Sequence, residues 1–178
     1  MKKILVIFLC TIVTCITYPY LSQGTDLVLN NTPAKVCFSP GGKCTNKIIK
    51  ETEAATREIL VQMFLFTSAP LRNALVKAQK RGINVEVILD KREQKNQQYK
   101  TAKALSKGGV TVYTDDKHTN AHNKVMIIDR EIIITGSFNY TYPAESKNAE
   151  NILIIRSGDL AKIYADNWLN HRNHSKKY

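Results

Sequence analysis

Residues 58–66 (EILVQMFLF) form a nearly continuous apolar run rich in β-branched and aromatic side chains. That is the pattern of a strand covered on both faces. Residues 83–90 (INVEVILD) alternate, and residues 110–115 (VTVYTD) follow as a further short strand. Between the first two runs, residues 69–82 place Leu71, Leu75 and Ala78 on one side of a helix. Ser68 can cap that helix and Gly82 can stop it. Residues 91–109 are polar and basic, which predicts a surface helix ending at the Gly108–Gly109 pair. Upstream, residues 34–40 (AKVCFSP) read as a short strand, followed by a turn and a helix over residues 45–56. Downstream, residues 122–129 and 131–135 read as two strands joined by a tight turn at Asp129–Arg130. Residues 150–156 (ENILIIR) are another strand, and residues 159–173 a final amphipathic helix. Strands alternating with helices, then a strand-rich centre, predict an α/β fold with a mixed β-sheet flanked by helices. There is no internal repeat and no linker, so residues 25–178 are expected to form one domain.

The remaining residues, 1–24, have a different pattern. Two lysines precede an apolar run over residues 4–16, and polar and turn-forming residues follow. Such a run is short for a bilayer-spanning helix and suits the core of a signal peptide. Ser22 and Gly24 supply small residues for cleavage, placing the mature start near Thr25. An uncleaved N-terminal anchor is the alternative. With a signal the protein is secreted or periplasmic, and Cys10 and Cys15 leave with it. Cys37 and Cys44 remain, in CFSPGGKC. Pro40, Gly41 and Gly42 can fold that stretch back on itself, and an oxidising compartment favours a disulfide over two free thiols. Two cysteines cannot complete a structural zinc site.

Charge narrows the partners. The 178 residues carry 26 Lys+Arg against 15 Asp+Glu, a net charge of +11. That balance favours a polyanion, either nucleic acid or an anionic membrane surface. Lys77, Lys80, Arg81, Lys91, Arg92, Lys95, Lys100, Lys103 and Lys107 fall in one third of the chain. Such residues bind backbone phosphates without reading bases, although each could equally be a solvated helix face.

The chemistry concentrates in AHNKVMIIDREIIITGSFNY, residues 121–140. His122 and Lys124 are two apart, so a strand would put them on one face. Gly136, ending the next strand, removes a side chain and would let a ligand approach the backbone. Ser137 and Asn139 add hydrogen-bond donors at the same end. A histidine, a fixed cation and neutral donors suit an anionic oxygen cluster such as a phosphate.

The stretch HNKVMIIDREIIITGSFN is similar to the signature of the phospholipase D superfamily: His-x-Lys, four residues, Asp, six residues, Gly-Ser-x-Asn. Every spacing matches. Across residues 35–170 the chain resembles the small, single-motif bacterial endonucleases of that superfamily. Larger members carry two copies of the motif, so a single copy implies a homodimer with a shared active site and a phospholipase D-like α/β sandwich. The resemblance implies that His122 attacks phosphorus to form a phosphohistidine while His122 of the partner subunit protonates the leaving oxygen. It implies that Lys124 and Asn139 hold the non-bridging oxygens and that Glu150 orients the histidine ring. Ser137 supports the pocket. Asp129 lies roughly 23 Å along the strand from His122 and is assigned to the turn rather than to catalysis.

One Glu and a pair of lysines after dimerisation do not make a two-metal site, so no metal and no other cofactor is expected. DNA, with RNA as a further candidate, is the first expectation for substrate. A lipid phosphodiesterase is the alternative, but it needs an apolar or aromatic rim, and no such segment follows the signal, with only the loops around Tyr140 and Tyr142 able to contribute aromatics. Those tyrosines could instead stack on bases. A nucleic-acid-binding protein with a dead site is disfavoured because every expected catalytic residue is present. After signal cleavage no stable membrane association is expected.

Overall fold

Asp129 shows how local sequence positions whole elements. In the computed structural model, which describes residues 24, 26–91 and 97–178, its carboxylate accepts hydrogen bonds from Thr56 N (2.8 Å), Thr56 Oγ1 (2.9 Å), Arg57 N (2.7 Å) and Glu58 N (3.0 Å). Those donors are the link between α1 (Cys44–Ala54) and β2 (Glu58–Met63). With its next N–H groups claimed by Asp129, α1 ends two residues before the predicted Thr56. Asp129 and Arg130 both have φ of 55°, so the tight turn between β5 (Lys124–Ile128) and β6 (Ile132–Gly136) is the left-handed hairpin type that matches strand twist.

The elements run β1 (Ala34–Ser39), α1, β2, α2 (Ala69–Lys80), β3 (Asn84–Asp90), α3 (Gln97–Lys107) and β4 (Thr111–Asp115). They continue β5, β6, α4 (Tyr142–Ser146), β7 (Glu150–Arg156), α5 (Gly158–His174) and β8 (Lys176–Lys177). One eight-stranded sheet results, ordered β1-β7-β6-β5-β2-β3-β4-β8. The pairs β2–β3 and β3–β4 are parallel, bridged by α2 and α3, and the other pairs are antiparallel. This is the mixed sheet the patterning predicts.

Burial explains the apolar run in β2. Ile59, Val61 and Met63 join Ile48, Leu71, Leu75 and Leu105 in a core beneath α1, α2 and α3. Leu60 points the other way, with Ile88, Val125, Ile127 and Ile133, against Ala161, Ala165 and Trp168 of α5. Trp168 Nε1 donates to Val61 O at 2.9 Å, tying α5 to the sheet centre. Ser68 caps α2 by accepting from Leu71 N, as expected. Cys37 and Cys44 form a disulfide that fastens β1 to the start of α1. Glu145 of α4 accepts from Thr45 N at 2.7 Å, capping α1 from outside.

Some boundaries and two short elements differ from the sequence reading. Strand β2 stops at Met63 instead of Phe66, because Phe64 N donates to Asn123 O and Leu65 N to Asn139 Oδ1. Strand β5 begins at Lys124, so His122 precedes the strand instead of opening it. Helix α4 and the two-residue β8 are too short to leave a periodic signal. Residues 1–23 of the expected signal, with Cys10 and Cys15, and Thr25, Arg92 and Lys95 lie outside the described residues.

Candidate phosphodiester-cleaving site

Strands β5 and β6 and the segments after β2 and β6 end together, and a cleft of about 530 Å³ opens there. It is lined by His122, Asn123, Lys124, Val125, Thr135, Gly136, Ser137, Asn139, Glu150 and Tyr164. The hairpin register Val125↔Thr135 aligns the histidine end of one strand with the Gly-Ser-x-Asn end of the other. Six predicted residues, His122, Lys124, Gly136, Ser137, Asn139 and Glu150, therefore share one cleft. Asp129 is at the opposite end of β5. Burial pushes its carboxyl up, but the hydrogen bonds from the Thr56–Glu58 segment outweigh this and hold it below the usual range.

His122 is exposed, whereas Lys124 is 9% exposed. Lys124 Nζ lies 2.9 Å from His122 Nδ1, 3.1 Å from Nε2 and 2.7 Å from the His122 carbonyl oxygen. An ammonium can only donate, so the ring nitrogen it bonds presents a lone pair. The Phe64 ring backs both groups: its centroid is 4.3 Å from that of His122 and 4.9 Å from Lys124 Nζ. Burial pushes the Lys124 ammonium below the usual lysine range, and the Glu150 carboxylate partly opposes that. Phe64 is a site residue that sequence reasoning missed. Its signal was weak, since it sits inside a run that reads as ordinary core.

Glu150 does not bond His122 within the chain. Its carboxylate accepts from Ser137 Oγ at 2.5 Å and from Asn148 Nδ2 at 3.0 Å. Ser137 Oγ in turn accepts from Asn151 N at 3.1 Å, so it joins β7 to the post-β6 loop. Asn139 Oδ1 accepts from Leu65 N at 3.3 Å, which leaves its NH₂ as the donor for the cleft. Gly136 also has a packing role. A Cβ there would lie 2.2 Å from Asn151 O, at φ of 155°. Besides lining the cleft, it permits the close approach of the β7 backbone.

Two surface expectations also change. Tyr140 is buried edge-to-face against Phe66, and its burial pushes the phenol above its usual range. It is not free to stack on bases, whereas Tyr142 is exposed. Lys77, Lys80 and Arg81 stand at the C-terminal end of α2, beside Asn84, which pairs with Glu58 at the Asp129 end of the sheet. They face away from the cleft, and Arg81 is committed to Thr52 O. An apolar rim, which sequence reading did not find, is present: Val36, Phe38 and Leu153 are 52%, 64% and 40% exposed. Val36 pairs with Leu153, which pairs with the cleft residue Thr135, so the patch continues the cleft floor across β7 and β1. Among the described residues no helix is long and apolar enough to cross a membrane.

Known proteins share this architecture. Residues 48–171 match the family described as cardiolipin synthase, PLD-like domain. A phospholipase D from Rickettsia conorii is 38% identical over 144 residues, spanning 81% of this chain and 72% of that protein. Mitochondrial cardiolipin hydrolase of Xenopus laevis is 30% identical over 167 residues, 89% of this chain and 71% of that one. The crystal structure of Nuc from Salmonella typhimurium, a phospholipase D family member, superposes with a TM-score of 0.80 at 30% identity. It covers 83% of this chain and 98% of Nuc.

Proposed function

The chain belongs to the phospholipase D superfamily and is a phosphodiesterase of that family, and we propose that the diester it cuts is the backbone of nucleic acid, DNA first and RNA second. The observation that carries the chemistry is the buried Lys124 ammonium held against the exposed His122 ring. The net charge of +11 and the likeness to Nuc support the choice of substrate.

The steps follow from the cleft. A phosphate entering it draws Lys124 onto a non-bridging oxygen, which releases the His122 lone pair that Lys124 had occupied. Asn139 NH₂ donates to a second oxygen. The His122 nitrogen forms a bond to phosphorus as the bond from phosphorus to the leaving oxygen breaks. Only one histidine lines the cleft, so the proton for that oxygen comes from His122 of the partner subunit in a homodimer. The same imidazole then takes a proton from water, which cleaves the phosphohistidine. The exposed Val36–Phe38–Leu153 face supports a second copy seated there, because it is apolar, contiguous with the cleft and left uncovered by α5. Glu150, bonded to Ser137 and Asn148, holds the post-β6 loop and its Asn139 in place and biases Lys124 toward its charged form. No step calls on a metal. The Cys37–Cys44 disulfide supports export through residues 1–24 to the periplasm or medium.

A second reading has its own observation. The same apolar face could admit acyl chains, and the Rickettsia relative is named a phospholipase D. Purified protein incubated with plasmid DNA, RNA and phosphatidyl lipids, with and without EDTA, decides between the readings. The expected result is nucleic-acid cleavage that survives chelator and falls with rising salt. Cleavage of lipid alone would replace the nuclease reading. Loss of activity in EDTA with the protein still folded, restored by magnesium, would sink the mechanism.

A further inference from the structure

Three of the chain's four histidines meet at one point that the cleft does not use. His118, in the loop after β4, and His171 and His174, in the last turn of α5, surround Asp115 at the end of β4. Asp115 Oδ2 is 3.0 Å from His118 Nδ1, 2.9 Å from His171 Nδ1 and 3.3 Å from His174 Nε2. All four donor atoms lie within 4.8 Å of one another. Asp115 is fully buried, while the three imidazoles are 39%, 15% and 19% exposed, so the cluster opens to solvent on its histidine side.

From this arrangement we infer that Asp115, His118, His171 and His174 form a structural site for a divalent transition metal, zinc being the best match. Zinc–nitrogen and zinc–oxygen bonds of about 2.0–2.1 Å in a tetrahedron put neighbouring ligand atoms about 3.3–3.5 Å apart. The oxygen–nitrogen separations here are already 2.9–3.3 Å. The four donor atoms already lie within 4.8 Å of one another, so side-chain rotation of the rings about Oδ2 can close them onto an ion. Hydrogen bonding alone explains the cluster less well. It would draw three imidazoles onto a single carboxylate, with His118 Nδ1 shared between Oδ2 at 3.0 Å and Oδ1 at 3.2 Å while His171 and His174 both compete for Oδ2. The carboxylate is also oriented for one-atom ligation. Its other oxygen, Oδ1, accepts from the backbone N–H groups of Lys117 (3.1 Å) and His118 (3.4 Å) and, of the three rings, meets only that of His118, at 3.2 Å, so Oδ2 is the oxygen that faces all three rings. His171 and His174 are three apart on a helix and so share a face, as metal-binding pairs do.

Three imidazoles and a carboxylate suit zinc, cobalt, nickel or copper rather than magnesium or calcium. Four protein ligands leave no open position, so the role is structural rather than catalytic. The ion would fasten α5 to the segment over residues 116–123, which carries His122. At its other end that segment is held by Ala121 N donating to Asp90 Oδ2 at 2.6 Å.

The test uses untagged full-length protein, stripped with chelator and dialysed, then titrated with zinc alone by calorimetry and melted with and without zinc. The expected result is one equivalent bound with submicromolar affinity and a melting temperature raised by about 5 °C or more. Cobalt should give the intense visible bands of a tetrahedral site. His171→Gln/His174→Gln should abolish both effects, while His122→Gln should leave both intact. If the double variant does not fold, His118→Gln, at the most exposed position, should weaken zinc by about tenfold or more. Folded protein that ignores zinc, binding that survives loss of these histidines, or binding lost in His122→Gln would each overturn the site.

Discussion

Asp129 and Lys124 belong to the same five-strand-residue segment and its flank, yet burial acts on them with different consequences. Asp129 has a depressed carboxyl because four donors from one peptide segment face it. A carboxylate depressed in the folded state adds stability that is present above its unfolded pKa and lost as pH falls through the folded one. Asp129→Asn should therefore destabilise by roughly 2–4 kcal/mol at neutral pH. That gap should close in melts taken progressively below about pH 4. Residual fold with no activity would instead make Asp129 catalytic. For Lys124, depression moves the loss of its positive charge to lower pH. The alkaline limb of kcat/KM should fall below the usual lysine value of about 10.4. A limb at or above that value would mean the clamp is not desolvated. Lys124→Ala should nearly abolish turnover by removing the charge on the transferring phosphate.

At the scale of elements, the cleft depends on how closely β6 and β7 approach. Gly136 has no Cβ, and adding one would drive it 2.2 Å from Asn151 O, a backbone atom that cannot swing aside. Gly136→Ala should therefore separate the strands at the cleft and cost roughly 3 kcal/mol or more in a denaturant melt. The Ser137–Glu150 bond, which crosses the same two strands, should loosen with it. A melting curve unchanged from wild type would show that β7 relaxes freely. The Cys37–Cys44 disulfide acts on a different joint, holding β1, and so the exposed Val36 and Phe38, against α1.

For the whole molecule the decisive question is whether two copies build one site. Wild type and His122→Ala chains co-refolded in equal amounts and paired at random should give about one quarter wild-type dimers, and about one quarter of the activity if both histidines are needed. Independent sites would leave about one half. Native mass spectrometry confirms the random pairing, and a residue of one half or more would rule out the shared site. Phe38→Asp should weaken pairing by putting a charge into the apolar face, and should lower activity at dilute protein more than at concentrated.

The spacing of His122, Lys124, Asp129, Gly136, Ser137 and Asn139 carried the family and the cleft's location, because a hairpin turns fixed spacing into fixed register. Apolar alternation and the Ser68 cap likewise carried the order of the long elements, since these signals act over a few residues. What depends on distant segments meeting was decided only by tertiary structure. Asp115 and His174 are separated by most of the second half of the chain, and nothing local marks them as neighbours until α5 packs across the sheet. Phe64 looked like core, Tyr140 looked free, and Val36 and Phe38 looked like one face of an ordinary strand. What covers each, Phe66 on Tyr140 and His122 against Phe64, with Val36 and Phe38 left exposed, is a property of the packed sheet, not of any segment read alone.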